Sequence, residues 1–306
     1  MDEIVITREL FEKLEETEKD AEVIAVESKT YLQDAWKRFC KNRLAFCGMV
    51  FVAVLILLAI FVPILSPYTY SEQNLDLTNA MPSLQHPFGT DKFGRDIFIR
   101  IMYGARISLS VGFAAAGINL AIGVLYGGVA GYLGGKADLI MMRIVDILYS
   151  VPAMLYVILI MLVFGSNMTS VLIGICISSW VSVARVVRTQ VLSLKQQEFA
   201  MAAIVMGASN LRILVKHLII NCMGPIIVCV TLMVPSAIFS EAFLSFVGIG
   251  ISAPAASWGT LANEARSLVE SHPIQIIWPV AAICLTMFSL NFIGDGLGDA
   301  LDPKKK

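Results

Sequence analysis

Charge is what this sequence has least of. Asp, Glu, Lys and Arg make up 15% of its 306 residues, against about 25% in a soluble domain of ordinary composition. Hydrophobic residues make up 57%, mean hydropathy is +0.75, and few charges fall inside the long apolar runs. Lipid, rather than water, is therefore the expected surroundings of most of the chain. The net charge of −1 gives no basic surface, so no nucleic-acid partner is expected. The six cysteines form no CxxC pair and have no histidine at ligand spacing, which argues against a disulfide framework or a zinc site and leaves them as small packing residues. The N-terminal region is acidic and mixed in charge, with the first apolar run beginning only near Ala45. It lacks the short basic start and immediate apolar core of a signal peptide, so the first span is expected to stay in the mature protein.

Catalytic groupings are missing too. A phosphate-cradling loop needs G-x-x-x-x-G-K followed by Ser or Thr. The nearest approach, Gly134-Gly135-Lys136-Ala137, has Ala130 and Ala137 where glycine and a hydroxyl are required. His86, His217 and His272 lie far apart, and no Ser-His-Asp set, paired acids or metal cluster stands out. The expectation is a chain with no catalytic residue, no metal and no cofactor of its own.

What the sequence does have is long apolar runs. A bilayer core of roughly 30 Å takes about 20 helical residues to cross. Candidates run from Ala45 to Leu65, from Ile107 to Leu133, from Ile147 to Ala184, from about Leu218 to Val247, and from Ile274 to about Gly294. The third is long enough for two crossings, divided at Gly165-Ser166-Asn167. The reading is an all-α membrane protein with six transmembrane helices, which puts both termini on one side. With the N-terminus inside, the segments flanking the spans carry fourteen Lys and Arg inside against five outside, so both termini are expected to be cytoplasmic. Pro152, Pro225 and Pro235 are expected to kink spans, and Gly123, Gly127, Gly128 and Gly131 to allow close helix approach.

Three segments outside the spans are long enough to have a role. The N-terminal tail carries an apolar stripe (Leu10, Leu14, Tyr31, Leu32, Trp36, Phe39) among mixed charges and reads as a surface helix or a solvated tail, with Trp36 at the headgroups. The outer loop runs from Pro67 to Arg106. The cytoplasmic loop from about Val187 to His217 contains Glu198-Phe199-Ala200-Met201-Ala202-Ala203-Ile204-Val205-Met206-Gly207-Ala208-Ser209. A short helix over 197–206 is expected, ended by Gly207 at positive φ. Ser209 is then expected to cap a second helix from about Asn210.

That stretch resembles the EAA loop of bacterial binding-protein-dependent ABC importers. Ala202, Ala203 and Gly207 match, whereas Met201 stands where the triplet has glutamate, with Glu198 three residues earlier. A salt bridge particular to the triplet position is therefore not expected. Three further stretches narrow the resemblance to the C-type permease subunit of oligopeptide and dipeptide importers. They are His86-Pro87-Phe88-Gly89-Thr90-Asp91-Lys92-Phe93-Gly94-Arg95-Asp96, the run Glu241–Gly250 with Ser245, and the run Asn291–Pro303, in which Gly298 replaces a usual arginine. The likeness extends from about Lys37 to Pro303.

The resemblance implies a type I ABC importer permease fold in the bacterial cytoplasmic membrane. It divides the chain into a cytoplasmic tail (1–44), a first transmembrane helix (45–66) and an outer loop with an amphipathic lead-in (67–106). A five-helix core (107–299) with its coupling loop (187–217) and a cytoplasmic tail (300–306) follow. It implies a homologous B-type permease partner, two cytoplasmic ATPases that bind ATP and Mg, and an extracytoplasmic peptide-binding protein. Glu198, Phe199, Ala202, Ala203, Gly207, Ala208 and Ser209 would couple to the ATPase. Closure of the ATPases would drag this helix inward and rock the spans from inward- to outward-facing.

The remaining candidates each admit two readings. Gly89, Thr90, Asp91, Gly94, Arg95 and Asp96 either help to dock the receptor or fix a turn, with Asp96 as a helix cap and Arg95 or Arg100 reaching headgroups. Glu241, Ser245 and Asn291 are pathway or gate candidates, Glu241 being alternatively an interfacial cap. Asp146 is expected in an ion pair at the cytoplasmic edge. Nickel, glutathione or another small solute remains an alternative cargo, and a secondary transporter or membrane-embedded enzyme an alternative class.

Overall fold

The computed structural model describes residues 30–251 and 255–302; the stripe positions Leu10 and Leu14, Pro303 and the three C-terminal lysines lie outside them. Among the described residues every regular element is a helix.

The first crossing, α2 (Arg43–Leu65), is a run of Val, Leu, Ile, Phe and Ala that starts behind Asn42, whose side chain accepts from the Ala45 amide. Before it, α1 (Tyr31–Lys41) buries Ala35 and Phe39 and leaves Trp36 exposed. Phe39 packs with Ala45 and with Ala300 of α11 (Ile274–Leu301). The start of the first crossing therefore lies beside the end of the last, and the two described ends of the chain share one face.

The second crossing, α3 (Ile97–Leu133), has 37 residues, about 55 Å of helix. The lead-in and the span, expected to meet near 106, are one helix, because no proline interrupts it. Its cytoplasmic half lies against α6 (Met168–Lys195) along Gly123, Gly127 and Gly131. A Cβ on Gly127 would stand 2.2 Å from the Ala184 carbonyl oxygen, and one on Gly123 2.5 Å from Val183 Cβ. Gly128 faces Leu214 and Ile219 instead.

The third crossing differs most from expectation. The turn at Gly165-Ser166-Asn167 is present, but the helix before it, α5 (Ala153–Phe164), has only 12 residues, about 18 Å and too short for the bilayer core. It completes a crossing only with α4 (Gly135–Ser150), from which it is bent by 78°. Pro152, lacking an amide hydrogen, stands at the break. Among the described residues five helices are long and apolar enough to span a membrane, and this bent pair makes a sixth crossing.

Helix α6 runs on to Lys195, so the loop expected from Val187 begins only after that residue. Next come α7 (Glu198–Val205) and α8 (Asn210–Arg212). A π-helical stretch over Ile213–Ile219 and a tight turn at Ile220–Cys222 lead into α9 (Met223–Val247). The fifth crossing thus starts eight residues before Leu218, and its change of winding sits just ahead of Pro225, a usual cause of such irregularity. Helix α10 (Trp258–Arg266) and α11 complete the chain. All six cysteines are free: Cys176 and Cys222 are buried and Cys229 half-buried, as packing residues, but Cys40, Cys47 and Cys284 are exposed.

Candidate functional site

Three places hold the sequence candidates. The first is the outer loop before α3. Asp91 accepts from the backbone amides of Phe93 and Arg95, and its second oxygen lies 2.6 Å from both Arg95 Nε and Arg100 Nη1. Both guanidinium groups also reach Glu264 of α10, each at 2.6 Å. Asp91, Arg95 and Arg100 are buried, and the two cations and two acids form a neutral quartet. Asp96 caps α3 through the Ile99 amide (2.8 Å) and takes His86 Nδ1 at 2.7 Å. Thr90 ties the loop to itself through the Ala80 amide, while its carbonyl accepts from Gln275 of α11. Gly94 has φ +68°, and a Cβ there would stand 1.7 Å from the Asn74 carbonyl oxygen; Gly89 also has positive φ.

The capping role expected of Asp96 is therefore present, but Arg95 and Arg100 do not reach headgroups. A buried cation needs a paired, hydrogen-bonded partner, and Glu264, remote in sequence, supplies it. Glu264 and Gln275 were not legible as members of this group, and His86, which heads the same run, was not singled out as the partner of Asp96. Glu264, one of two acids in the short segment before the last span, carries no local signal of its partners.

The second place is around Glu241, which has no exposed surface. One of its carboxyl oxygens accepts from Ser108 of α3 at 2.9 Å and the other from Ser245 at 2.8 Å. Ser108 Oγ also receives the Trp258 amide at 3.4 Å, and the Trp258 indole donates to the Ile101 carbonyl. Glu241 thus joins α3, α9 and α10 within the chain's own helix packing. Full burial does not suit an interfacial helix cap, and the two serine bonds make Glu241 a hydrogen-bond partner between helices. Asn291 is half-buried on α11 and does not belong to this cluster.

The third place is the cytoplasmic loop. Helix α7 runs from Glu198 to Val205, with Gln197 and Met206 as its caps. Gly207 has φ +78°. Its amide donates to Ile204, and the Ala208 amide to Ala203 (3.1 Å), the paired bonds of a glycine-terminated helix end. Ser209 occupies the cap position of α8 without a side-chain bond. Ala200 and Ala203 are buried against Val187, Val191, Ile213 and Leu218. Met201, Ala202, Ile204, Val205 and Met206 face outward, and Phe199 and Glu198 are exposed too. Val205 is 87% exposed and Met206 79%, which leaves an apolar patch at a polar end of the molecule.

The surroundings of α7 are tied together. Lys195 Nζ donates to the Tyr132 carbonyl at 2.5 Å, and Tyr132 Oη meets Asn210 Oδ1 at 2.9 Å. Arg188 holds Asp138 with two nitrogens, and Arg185 donates to Asp146 at 3.0 Å. The ion pair expected for Asp146 is therefore present, made mainly to Arg185 of α6, with Arg143 at 3.9 Å. These bonds tie the ends of α3, α6 and α8 together beside the short helix and fasten α4 to α6.

A family model described as the binding-protein-dependent transport system inner membrane component matches residues 123–306, and one described as the N-terminal TM domain of oligopeptide transport permease C matches residues 30–87. The oligopeptide transport system permease protein OppC of Bacillus subtilis strain 168 is 47% identical over 299 residues, covering 98% of each chain. The dipeptide transport system permease protein DppC of the same organism is 47% identical, covering 95% of this chain and 91% of its own. Among solved structures, an inward-facing MetNI methionine ABC transporter aligns with a TM-score of 0.53 at 16% identity, covering 67% of this chain and 96% of that one. This last likeness supports the fold alone.

Proposed function

The chain belongs to the binding-protein-dependent transport system inner membrane components, in their oligopeptide permease C branch, and from that premise we propose how it moves its cargo. It is a multi-pass permease subunit of an ABC importer in the cytoplasmic membrane. Its cargo is a short peptide, and with a homologous B-type permease it encloses the path. Two cytoplasmic ATPases bind ATP and Mg and supply the work, and an extracytoplasmic binding protein delivers the peptide. We assign 1–44 and 300–306 to the cytoplasm, 67–106 to the outer side, 45–66 to the first crossing, and 107–299 to the conducting core.

The observation that carries the coupling half of this reading is the outward apolar face of α7. Ala200 and Ala203 are used up against the protein's own core, and among the described residues nothing covers Met201, Ile204, Val205 and Met206. A cleft on the ATPase is the proposed cover. A push there reaches α6 and the α8–α9 crossing directly, and α3 through Tyr132, because these helices are clamped together at that end. The outer quartet has the complementary task of holding loop, α3 and α10 as one lid-side body on which the binding protein sits.

Affinity purification from native membranes in mild detergent, with bound proteins identified and counted, tests the assembly. The expected result is one second permease and two ATPase copies per chain. A chain recovered alone or as a homo-oligomer, without an ATPase, would overturn it.

A further inference from the structure

Mid-membrane, where α3, α6 and α9 meet, lies a cavity of about 190 Å³ whose lining includes Asn119, Ser179, Ser182, Ser236 and Ser240. Polar groups at this depth are costly, and they belong in the bundle interior or beside a watery space. Asn119 is 1% exposed, and its carboxamide oxygen has no hydrogen-bond partner. Three of the serine hydroxyls donate to carbonyls of their own helices: Ser179 to Ile175 at 2.8 Å, Ser236 to Leu232 at 3.2 Å and Ser240 to Ser236 at 2.9 Å. Their lone pairs, like the Asn119 oxygen, are left as acceptors toward the cavity. No Asp, Glu, Lys or Arg lines it.

We infer that this surface is the chain's share of the conducting wall, and that it recognises the main chain of a passing peptide through its N–H groups while ignoring side-chain charge. The inference rests on the peptide-importer reading above and adds the residues and their chemistry. Spacing supports it: Ser236 and Ser240 are about 6 Å apart along α9. That is close to the roughly 6.8 Å between alternate residues of an extended strand, whose N–H groups point the same way. An acceptor wall without charge gives an acidic and a basic peptide the same passage, which a wall carrying one sign of charge would not.

The test uses the complete transporter in proteoliposomes with its binding protein, and two peptides of equal length, one with lysines and one with aspartates. Wild type is expected to import both; import of neither would refute the peptide-importer reading itself. Ser236→Lys is expected to slow the lysine peptide at least about fivefold relative to the aspartate peptide, and Ser236→Asp to do the reverse. If both variants import both peptides as wild type does, the wall assignment falls while the importer stands. A milder substitution covers the case in which the charged variants fail to assemble. Ser182→Cys on a cysteine-free background should react with a water-soluble, membrane-impermeant thiol reagent in at least one nucleotide state and lose uptake on reaction. Leu58→Cys on the lipid face of α2 should stay unreactive. Reactivity at neither position, with uptake intact, would make this face a dry contact with the partner permease and overturn the inference.

Discussion

Pro63 removes one hydrogen-bond donor from α2, and Arg106 replaces it. A proline at position i leaves the carbonyl at i−4 without its helical partner; here that carbonyl belongs to Ala59. Arg106 Nε donates to it at 2.5 Å, and Nη2 donates to the neighbouring Ile60 carbonyl at 2.7 Å. An orphaned acceptor in an apolar setting costs about 1–3 kcal/mol, so Arg106→Leu should lower the thermal unfolding midpoint of the detergent-solubilised transporter. Pro63→Ala restores an amide hydrogen for Ala59, so in that background the same arginine substitution should cost clearly less. Equal losses in the two backgrounds would show that Arg106 acts through something other than the freed carbonyl. The residue scale also explains a blemish in the charge count. Four of the five outer cations are Lys92, Arg95, Arg100 and Arg106, and three of these are spent on internal contacts. Arg95 and Arg100 are neutralised by Asp91 and Glu264, so they do not weigh against the inside orientation as a bare count suggests. That cancellation was invisible in the sequence because Glu264 lies at the far end of the chain. Asp96 as the cap of α3 was legible, because a cap and its helix are neighbours.

At the scale of elements, Gly207 is the position where backbone geometry and proposed function meet. Its φ of +78° is one that side chains with a Cβ adopt at a cost of roughly 1–2 kcal/mol, yet a Cβ there would meet nothing within 4 Å. Space is therefore not the obstacle; the obstacle is the turn itself. Gly207→Val is expected to loosen the end of α7 without disturbing the crossings, leaving membrane insertion and expression unchanged. ATP hydrolysis should then proceed with uptake falling several-fold, because the short helix no longer moves rigidly with the helix ends beside it. Normal uptake at wild-type expression would refute this role for the turn. The turn was legible in the sequence because a lone glycine after a short apolar helix has few other uses. The third crossing was legible only in half. An uncharged run from 147 to 184 looks continuous to a count of apolar residues, and Pro152 within it reads as a mild kink. The structure makes the proline a 78° corner and recruits α4, whose Asp138 and Asp146 are tied to α6 by Arg188 and Arg185. Those charges, which argue against a span when read locally, are what hold the bent crossing in place.

Over the whole molecule, the surfaces left uncovered differ in kind. The faces of α2 and α5 that carry Leu57, Phe61, Leu159 and Leu162 suit acyl chains. The face of α7 lies at the end of the bundle that carries Lys195 and Arg212, where apolar residues gain nothing from lipid. Loop 67–96 occupies the opposite end, with Leu84 fully exposed. One pair of variants reads orientation and coupling together. On a background with Cys40, Cys47 and Cys284 replaced, since these are the exposed native thiols, Leu84→Cys should label in intact spheroplasts with a membrane-impermeant reagent. Val205→Cys should label only after the membrane is opened. Expressing the ATPase alongside should then protect position 205, because burial of that face is what the coupling reading requires, and leave position 84 as reactive as before. Labelling of position 205 from outside would invert the topology. Undiminished labelling of an assembled, opened transporter would mean that the ATPase grips this chain somewhere other than α7.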